Sequence, residues 1–330
     1  MNTVTIGVDV GGTSVRAGVV DERGAIIDSC RVATPDDETA LEKAIVGVIA
    51  KLRREHPVAA VGLSVAGFVA PDGKTVQFAP HLAWRQVPVA ARISSRTELP
   101  VTLEHDANAA ALAEYVYGAA AGASVVTLVA LGTGIGCGLL LDGEIYRGAH
   151  GVAPELGHLR LVPDGRQCSC GKRGCWERYC SGTALAMTAL ELLSRYPGRS
   201  TVLAREAAGD PGAVTGRRVA AAARDGDEIG MMAMADLARW LGEGLALVAD
   251  IYDPEIVVIA GGVSESATLF LDEAREHYAR VVTGAGNRPL ARIRTAQLGD
   301  DAAIVGGALL AREAVTGEPG AWRGRRLRNG

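Results

Sequence analysis

The chain of 330 residues is 48% apolar, yet no apolar run reaches the roughly 20 residues that a membrane-spanning helix needs. No basic n-region, apolar h-region and cleavage site precede the apolar pattern that begins at Val4, so export is not expected and a cytoplasmic location is. Excess positive charge is missing as well: the formal net charge is −4, which argues against a general nucleic-acid surface. The one locally basic stretch, Trp322 to Arg328, is expected to lie in a mobile tail over 317–330. Lysine is scarce, at four of 34 basic residues, a bias that speaks to genome base content and not to chemistry. Neither GxxxxGK[ST] nor the Rossmann glycine spacing occurs, which excludes a P-loop and the dinucleotide fingerprint.

What the chain does have is concentrated between Glu155 and Glu177, where 23 residues carry His158, Cys168, Cys170, Cys175 and the two flanking carboxylates Glu155 and Glu177. Zinc takes four tetrahedral N/S ligands, and a Cys3His set closed by short glycine-bearing loops fills that shell, so the expected zinc is structural. Ordinary buried thiols or a disulfide are the plain alternative. A zinc ribbon touching nucleic acid is another, but the segment holds only four basic side chains and no interleaved aromatics.

Two stretches about 120 residues apart echo one another: Thr5 to Thr13 running on to Asp21, and Leu128 to Gly136 running on to Asp142. Each reads as apolar strand, glycine turn, apolar strand, the pattern of a β-hairpin with buried strands. Amphipathic spacing predicts a helix over 39–54, strands over 58–65 and 101–104, and an alanine-rich helix over 106–116. Further helices are expected over 181–195, 229–251 and 302–315, with a buried strand over 255–260. The Met and Leu stripe of 229–251 reads as core. Pro and Gly breaks make 197–216 an expected exposed excursion. The βαβα order with a repeated hairpin implies an α/β fold of two related lobes that both contribute to ligand binding. The N-terminal lobe is expected over 1–116, joined by the last helix at about 302–316, and the C-terminal lobe over 117–301 with the zinc segment at 155–177.

Asp9 closes the first strand and is followed by Gly11, Gly12 and Thr13, a turn whose backbone N–H groups can approach an anion. Gly132, Thr133, Gly134 and Gly136 form a second such turn, and Gly261 and Gly262 a third. One glycine turn is weak evidence, since many only satisfy positive φ; three at strand ends, one beside an acid, are stronger. Asp106 sits where a strand meets a helix. It could be an N-cap that satisfies free amides. Alternatively it is the carboxylate that receives an alcohol's proton during phosphoryl transfer, and a helix N-terminus favours an anion there.

Together these motifs resemble the ROK family of sugar kinases within the actin-like ATPase superfamily, over nearly the whole chain. Asp9-Val-Gly-Gly-Thr13 resembles the family's first phosphate loop, Leu131 to Gly136 the second, and Gly261-Gly262 the adenosine-side turn. The segment from Glu155 to Glu177 matches the signature ExGH…CxCGxxGCxE at every ligand position. The resemblance implies a two-lobed, ribonuclease H-like fold with a zinc-binding loop, and an ATP- and Mg2+-dependent transfer to the 6-hydroxyl of a hexose. It makes Asp106 the catalytic base and has Asp9 help position magnesium. Gly67, His81, His105, Asp106, Glu155, His158 and Glu177 become the sugar-binding residues. His158 would bind zinc through one ring nitrogen and meet the sugar with the other. A homodimer is implied too. Family repressors carry a helix-turn-helix ahead of this core; with the first strand starting at Val4, no such module is expected.

Three positions depart from the family pattern. His105 replaces the asparagine of Glu-Asn-Asp, His81 that of Pro-Asn-Leu, and Pro154 the usual glycine before the glutamate. An asparagine amide offers two donors and an acceptor, whereas neutral imidazole gives one of each on a bulkier ring. Glucose is therefore the default acceptor, with an aminosugar such as kanosamine the variant that the histidines suggest. A cyclitol or N-acetylmannosamine kinase, or a non-catalytic sugar sensor, are the alternatives.

Overall fold

A computed structural model describes residues 4–317. In chain order these residues form β1 (Val4–Val10), β2 (Ser14–Val20), β3 (Ile26–Ala33), α1 (Glu38–Arg53), β4 (Val58–Val65), β5 (Phe68–Val69), β6 (Val76–Phe78), β7 (Arg85–Val87), α2 (Val89–Thr97), β8 (Val101–His105) and α3 (Asp106–Tyr117). Next come β9 (Val125–Leu131), β10 (Ile135–Leu141), β11 (Glu144–Ile145), α4 (Gly182–Arg195), α5 (Val202–Gly209), α6 (Gly216–Arg224), α7 (Glu228–Tyr252), β12 (Ile256–Ala260), α8 (Leu271–Val281), β13 (Arg292–Thr295) and α9 (Ala302–Thr316). The basic stretch from Trp322 lies outside the described residues. No helix among them is long and apolar enough to cross a membrane.

The expected internal repeat is present in the sheets. One five-stranded sheet runs β3-β2-β1-β4-β8 and another β11-β10-β9-β12-β13, so each starts with a three-strand meander and ends with two crossover strands. This is the two-sheet α/β architecture expected of an actin-like kinase. Buried β-branched runs make the central strands: Ile6, Val8 and Val10 of β1 and Val61, Leu63 and Val65 of β4 lie within the core.

The chain divides into two compact units. Among the described residues, the first runs to Leu128, takes up Gly138–Pro154 and resumes at Ala296; the second holds Val129–Cys137 and Glu155–Thr295. Residues 117–128, 138–154 and 296–301, expected in the C-terminal lobe, thus fall in the first unit, and the division passes through β9 and β10.

In the first unit, α9 lies on β1 and β4 and against α3. The approach is close because glycines meet backbone: a Cβ on Gly7 would run into the Ile304 carbonyl and one on Gly306 into that of Ala109. In the second unit, α7 carries Ile229, Ala233, Leu237, Leu241, Leu245 and Val248 into the core and packs on α4, α6 and α8. That stripe is core, as its spacing predicts.

One expectation fails. The span 197–216 is no exposed excursion throughout: it holds α5, capped by Thr201 Oγ1 on the Ala204 N–H at 3.1 Å, with Leu203 and Val214 buried. A single turn-length apolar cluster between breakers is enough when a core face accepts it.

Candidate active site

In the first unit, the β1–β2 hairpin delivers Asp9 and the first glycine turn. Gly11 N–H donates to the Ser14 carbonyl at 3.1 Å, and Thr34 clamps the turn from β3, its hydroxyl donating to Gly11 O at 2.6 Å and its N–H to Thr13 O at 3.1 Å. Gly12 is needed for space: a Cβ there would lie 2.9 Å from the Cβ of His81. Gly67 lies in the same neighbourhood, where a Cβ would come 2.7 Å from that of Ala79. The hairpin and the segments carrying Gly67 and His81 therefore meet at the C-terminal end of β1 and β4.

Asp9 is engaged by Arg16, which donates to Oδ2 from Nη2 at 2.6 Å and from Nε at 3.2 Å. Burial pushes the Asp9 carboxyl above its usual range, the Arg16 guanidinium opposes that, and the nearby Asp106 and Asp300 charges add to the rise. The structure thus brings Asp9 and Asp106 within electrostatic reach of one another.

Asp106 is the first residue of α3, preceded by the N-cap His105, whose side chain makes no capping bond. Asp106 Oδ1 accepts from its neighbour's N–H, that of Ala107, at 2.7 Å, and His105 Nε2 lies 3.3 Å from the same oxygen. Asp106 is not the N-cap, its side chain remains 35% exposed, and both of these contacts fall on Oδ1. The start of α3 is held by Glu104, which accepts from His105 N, Asn108 Nδ2 and the Arg147 guanidinium at 2.9, 2.9 and 2.5 Å.

In the second unit, the turn between β9 and β10 is braced by Gly132 N–H on Gly134 O at 3.0 Å and Gly182 N–H on Gly132 O at 2.8 Å. Gly261, at φ +79°, sits against the backbone of Leu131, 2.6 Å from its carbonyl oxygen for a notional Cβ. Gly134 abuts the Glu177 carboxylate. The second turn, the Gly261 turn and the segment from Glu155 to Glu177 are therefore contiguous. Thr133 is exposed, and the Cα of Gly262 faces open space.

His158, Cys168, Cys170 and Cys175 converge, their ligand atoms all within 4.8 Å of one another. His158 Nδ1 to Cys168 Sγ and Cys170 Sγ to Cys175 Sγ are both 3.6 Å. A tetrahedral zinc with Zn–S of about 2.3 Å and Zn–N of about 2.0 Å has edges of roughly 3.5–3.8 Å, so the set fits that ion. Buried sulfur without metal holds its proton: burial, aided by Glu177, pushes the Cys168 thiol up to about 12. The His158 ring presents Nε2 to the Glu155 carboxylate at 3.8 Å while Nδ1 faces the cluster. Glu177 Oε1 lies 3.0 Å from Cys168 Sγ. The whole segment is anchored by the buried Trp176, whose Nε1 donates to Trp240 O at 2.9 Å.

Three residues that shape these sites escape sequence reasoning. Arg147 and Gly182 carry no local signal. Arg16 does: an antiparallel hairpin turning at Gly11 to Thr13 sets residue 16 across from residue 9, the register the strands adopt.

Comparison with known proteins agrees with this architecture. The model of the ROK family matches residues 5–314. A glucokinase of Streptomyces coelicolor is 43% identical over 310 residues, 94% of this chain and 98% of the relative. The crystal structure of a ROK family glucokinase from Streptomyces griseus in complex with glucose and AMPPNP has a TM-score of 0.85 at 43% identity, covering 94% of this chain and 99% of that one. A ROK hexokinase from Thermus thermophilus has a TM-score of 0.76 at 30% identity, covering 96% and 100%. The fold is thus the two-sheet α/β fold of the ROK sugar-kinase structures. The chain belongs to the ROK family.

Proposed function

We propose that this chain is an ATP-dependent sugar kinase that phosphorylates the 6-hydroxyl of a hexose or close glucose analogue. The observation that carries the reading is its 43% identity over 94% of its length to a glucokinase whose structure holds glucose and AMPPNP.

In this reading Asp106 accepts the hydroxyl proton through Oδ2 as the sugar oxygen bonds to the terminal phosphorus and the bond to the departing ADP breaks. Gly11, Gly12 and Thr13 in the first unit, and Gly132, Thr133, Gly134 and Gly136 in the second, offer N–H groups to phosphates, with Gly261 and Gly262 on the adenosine side. Asp9 helps hold the magnesium that neutralises phosphate charge. Glu155, His158 and Glu177, with Gly67, His81 and His105, contact the sugar. His158, Cys168, Cys170 and Cys175 would hold a zinc ion, which would fix the imidazole ring and so the sugar contacts. A homodimer in the cytoplasm, where thiols stay reduced, completes the assignment.

The finer acceptor reading rests on His81 and His105. Both replace asparagines that border the sugar in the family, and His105 already faces Asp106. An amino group in place of a hydroxyl suits an imidazole acceptor, so 3-amino-3-deoxyglucose is the variant acceptor, ahead of a cyclitol or N-acetylmannosamine. A coupled assay of ATP consumption over these four acceptors decides. Consumption dependent on a sugar supports a kinase; binding without turnover would make the chain a sensor. Asp106→Asn should bind sugar and nucleotide but lose about 10²–10⁴ in kcat; near-wild-type turnover would remove the base assignment.

A further inference from the structure

We infer that Arg16 is a positioning residue for the phosphate-donor side of the reaction, acting through Asp9. This rests on the kinase reading above. Three observations carry it. Both bonds from Arg16, from Nη2 at 2.6 Å and from Nε at 3.2 Å, fall on Oδ2 of Asp9, so the guanidinium commits one carboxylate oxygen and leaves Oδ1 as the one available. The same Nη2 donates to the Asp300 carbonyl at 2.7 Å, which ties β2 to the turn just before α9. The hairpin register sets Asp9 and Arg16 directly opposite, with Gly11, Gly12 and Thr13 in the turn between them.

The physical need is plain. Asp9 is 15% exposed, close enough to Asp106 to feel its charge, and lacks any other cation in hydrogen-bonding contact among the described residues. A carboxylate that must serve a metal–phosphate group has to be held in place, and two N–H donors on one oxygen fix the position of that oxygen and restrict how the group can turn. A single ammonium cannot reproduce both the fork and the tether to Asp300. The Nη1 of Arg16 makes no hydrogen bond among the described residues, so the side chain keeps donor capacity toward the glycine turn that it borders.

The test is steady-state kinetics on the full chain with MgATP and sugar varied separately, for wild type, Arg16→Met, Arg16→Lys, Asp9→Asn and the Asp9→Asn/Arg16→Met double variant. Both Arg16 variants should lose at least about tenfold in kcat/KM for MgATP while KM for sugar stays within about twofold. In the Asp9→Asn background Arg16→Met should cost almost nothing more, because the carboxylate it orients is gone. Thermal melting and sugar-induced tryptophan fluorescence verify that each variant is folded; Arg16→Lys keeps the charge if the methionine variant fails to fold. Wild-type kcat/KM for MgATP in folded Arg16→Met or Arg16→Lys, or full multiplicative losses in the double variant, would overturn the inference. A wild-type protein that consumes no ATP with any sugar would instead remove the kinase reading beneath it.

Discussion

Replacing Gly7 by alanine drives a new methyl into the backbone of α9. The Cβ would sit 2.6 Å from the carbonyl carbon of Ile304 and 3.1 Å from its Cα, with the carbonyl oxygen nearer still. Carbon atoms rest at about 3.5–4.0 Å, so strand and helix must part by about 1 Å. Neither atom belongs to a side chain that can rotate aside, and α9 cannot lift locally, because Gly307 is pressed on Gly62 and Gly306 on Ala109. Overpacking a core costs about 1–3 kcal/mol, and a backbone-on-backbone clash belongs at or beyond the upper end. Out of a total of about 5–15 kcal/mol, the midpoint of urea unfolding should fall by a fifth or more at constant slope. The matched control is Gly47→Ala in α1, an exposed helical glycine with open space around it, which should gain about 1 kcal/mol. Wild-type stability in Gly7→Ala, or equal losses in the two variants, would refute the packing argument. Because the α9 end of the unit also supplies the Asp300 carbonyl to Arg16, kcat should drop in Gly7→Ala at temperatures where the chain is still folded.

Two more outcomes follow from the other parts of the site. Native mass spectrometry should find about one zinc per chain, lost in Cys168→Ser and Cys175→Ser, and chelation should lower thermal stability and sugar affinity together; a chain indifferent to chelators would leave the three cysteines as ordinary thiols and His158 as an ordinary imidazole. His81→Asn combined with His105→Asn should move the ratio of kcat/KM for glucose over 3-amino-3-deoxyglucose by at least about tenfold toward glucose, and an unchanged ratio would end the altered-acceptor reading.

Where chemistry is local in sequence, the chain is readable. Four zinc-type ligands within 18 residues, and an acid two residues before a glycine pair, announce themselves without a fold. Buried central strands are readable too, since β1, β4, β9 and β12 are nearly continuous apolar runs. Edge elements are not. Strand β3 exposes Ile27 and Val32 and alternates them with polar residues, so no buried face marks it. Helix α2 turns only Val89, Ala90, Ile93 and Thr97 inward over nine residues and begins after a proline. Long-range contacts are least readable of all: nothing near Gly134 says that Glu177 lies beside it, and nothing near Glu104 points to Arg147.

The two carboxylates of the first unit show how one fold can keep neighbouring acids in different settings. Asp106 spends Oδ1 on the Ala107 N–H and is 35% exposed, which in the proposed reaction would suit an acid that meets an incoming hydroxyl. Asp9 is 15% exposed, and burial and the Asp106 charge both favour its neutral form, against which only the Arg16 pair acts. A buried carboxylate beside another acid would otherwise shed its charge, and with it any use to a magnesium–phosphate group. The hairpin answers this with geometry: the strand that returns from the glycine turn brings the counter-charge to the residue directly opposite. Glycine turn, acid and cation are thus a single antiparallel unit, and a change at any one of the three should be felt by the other two.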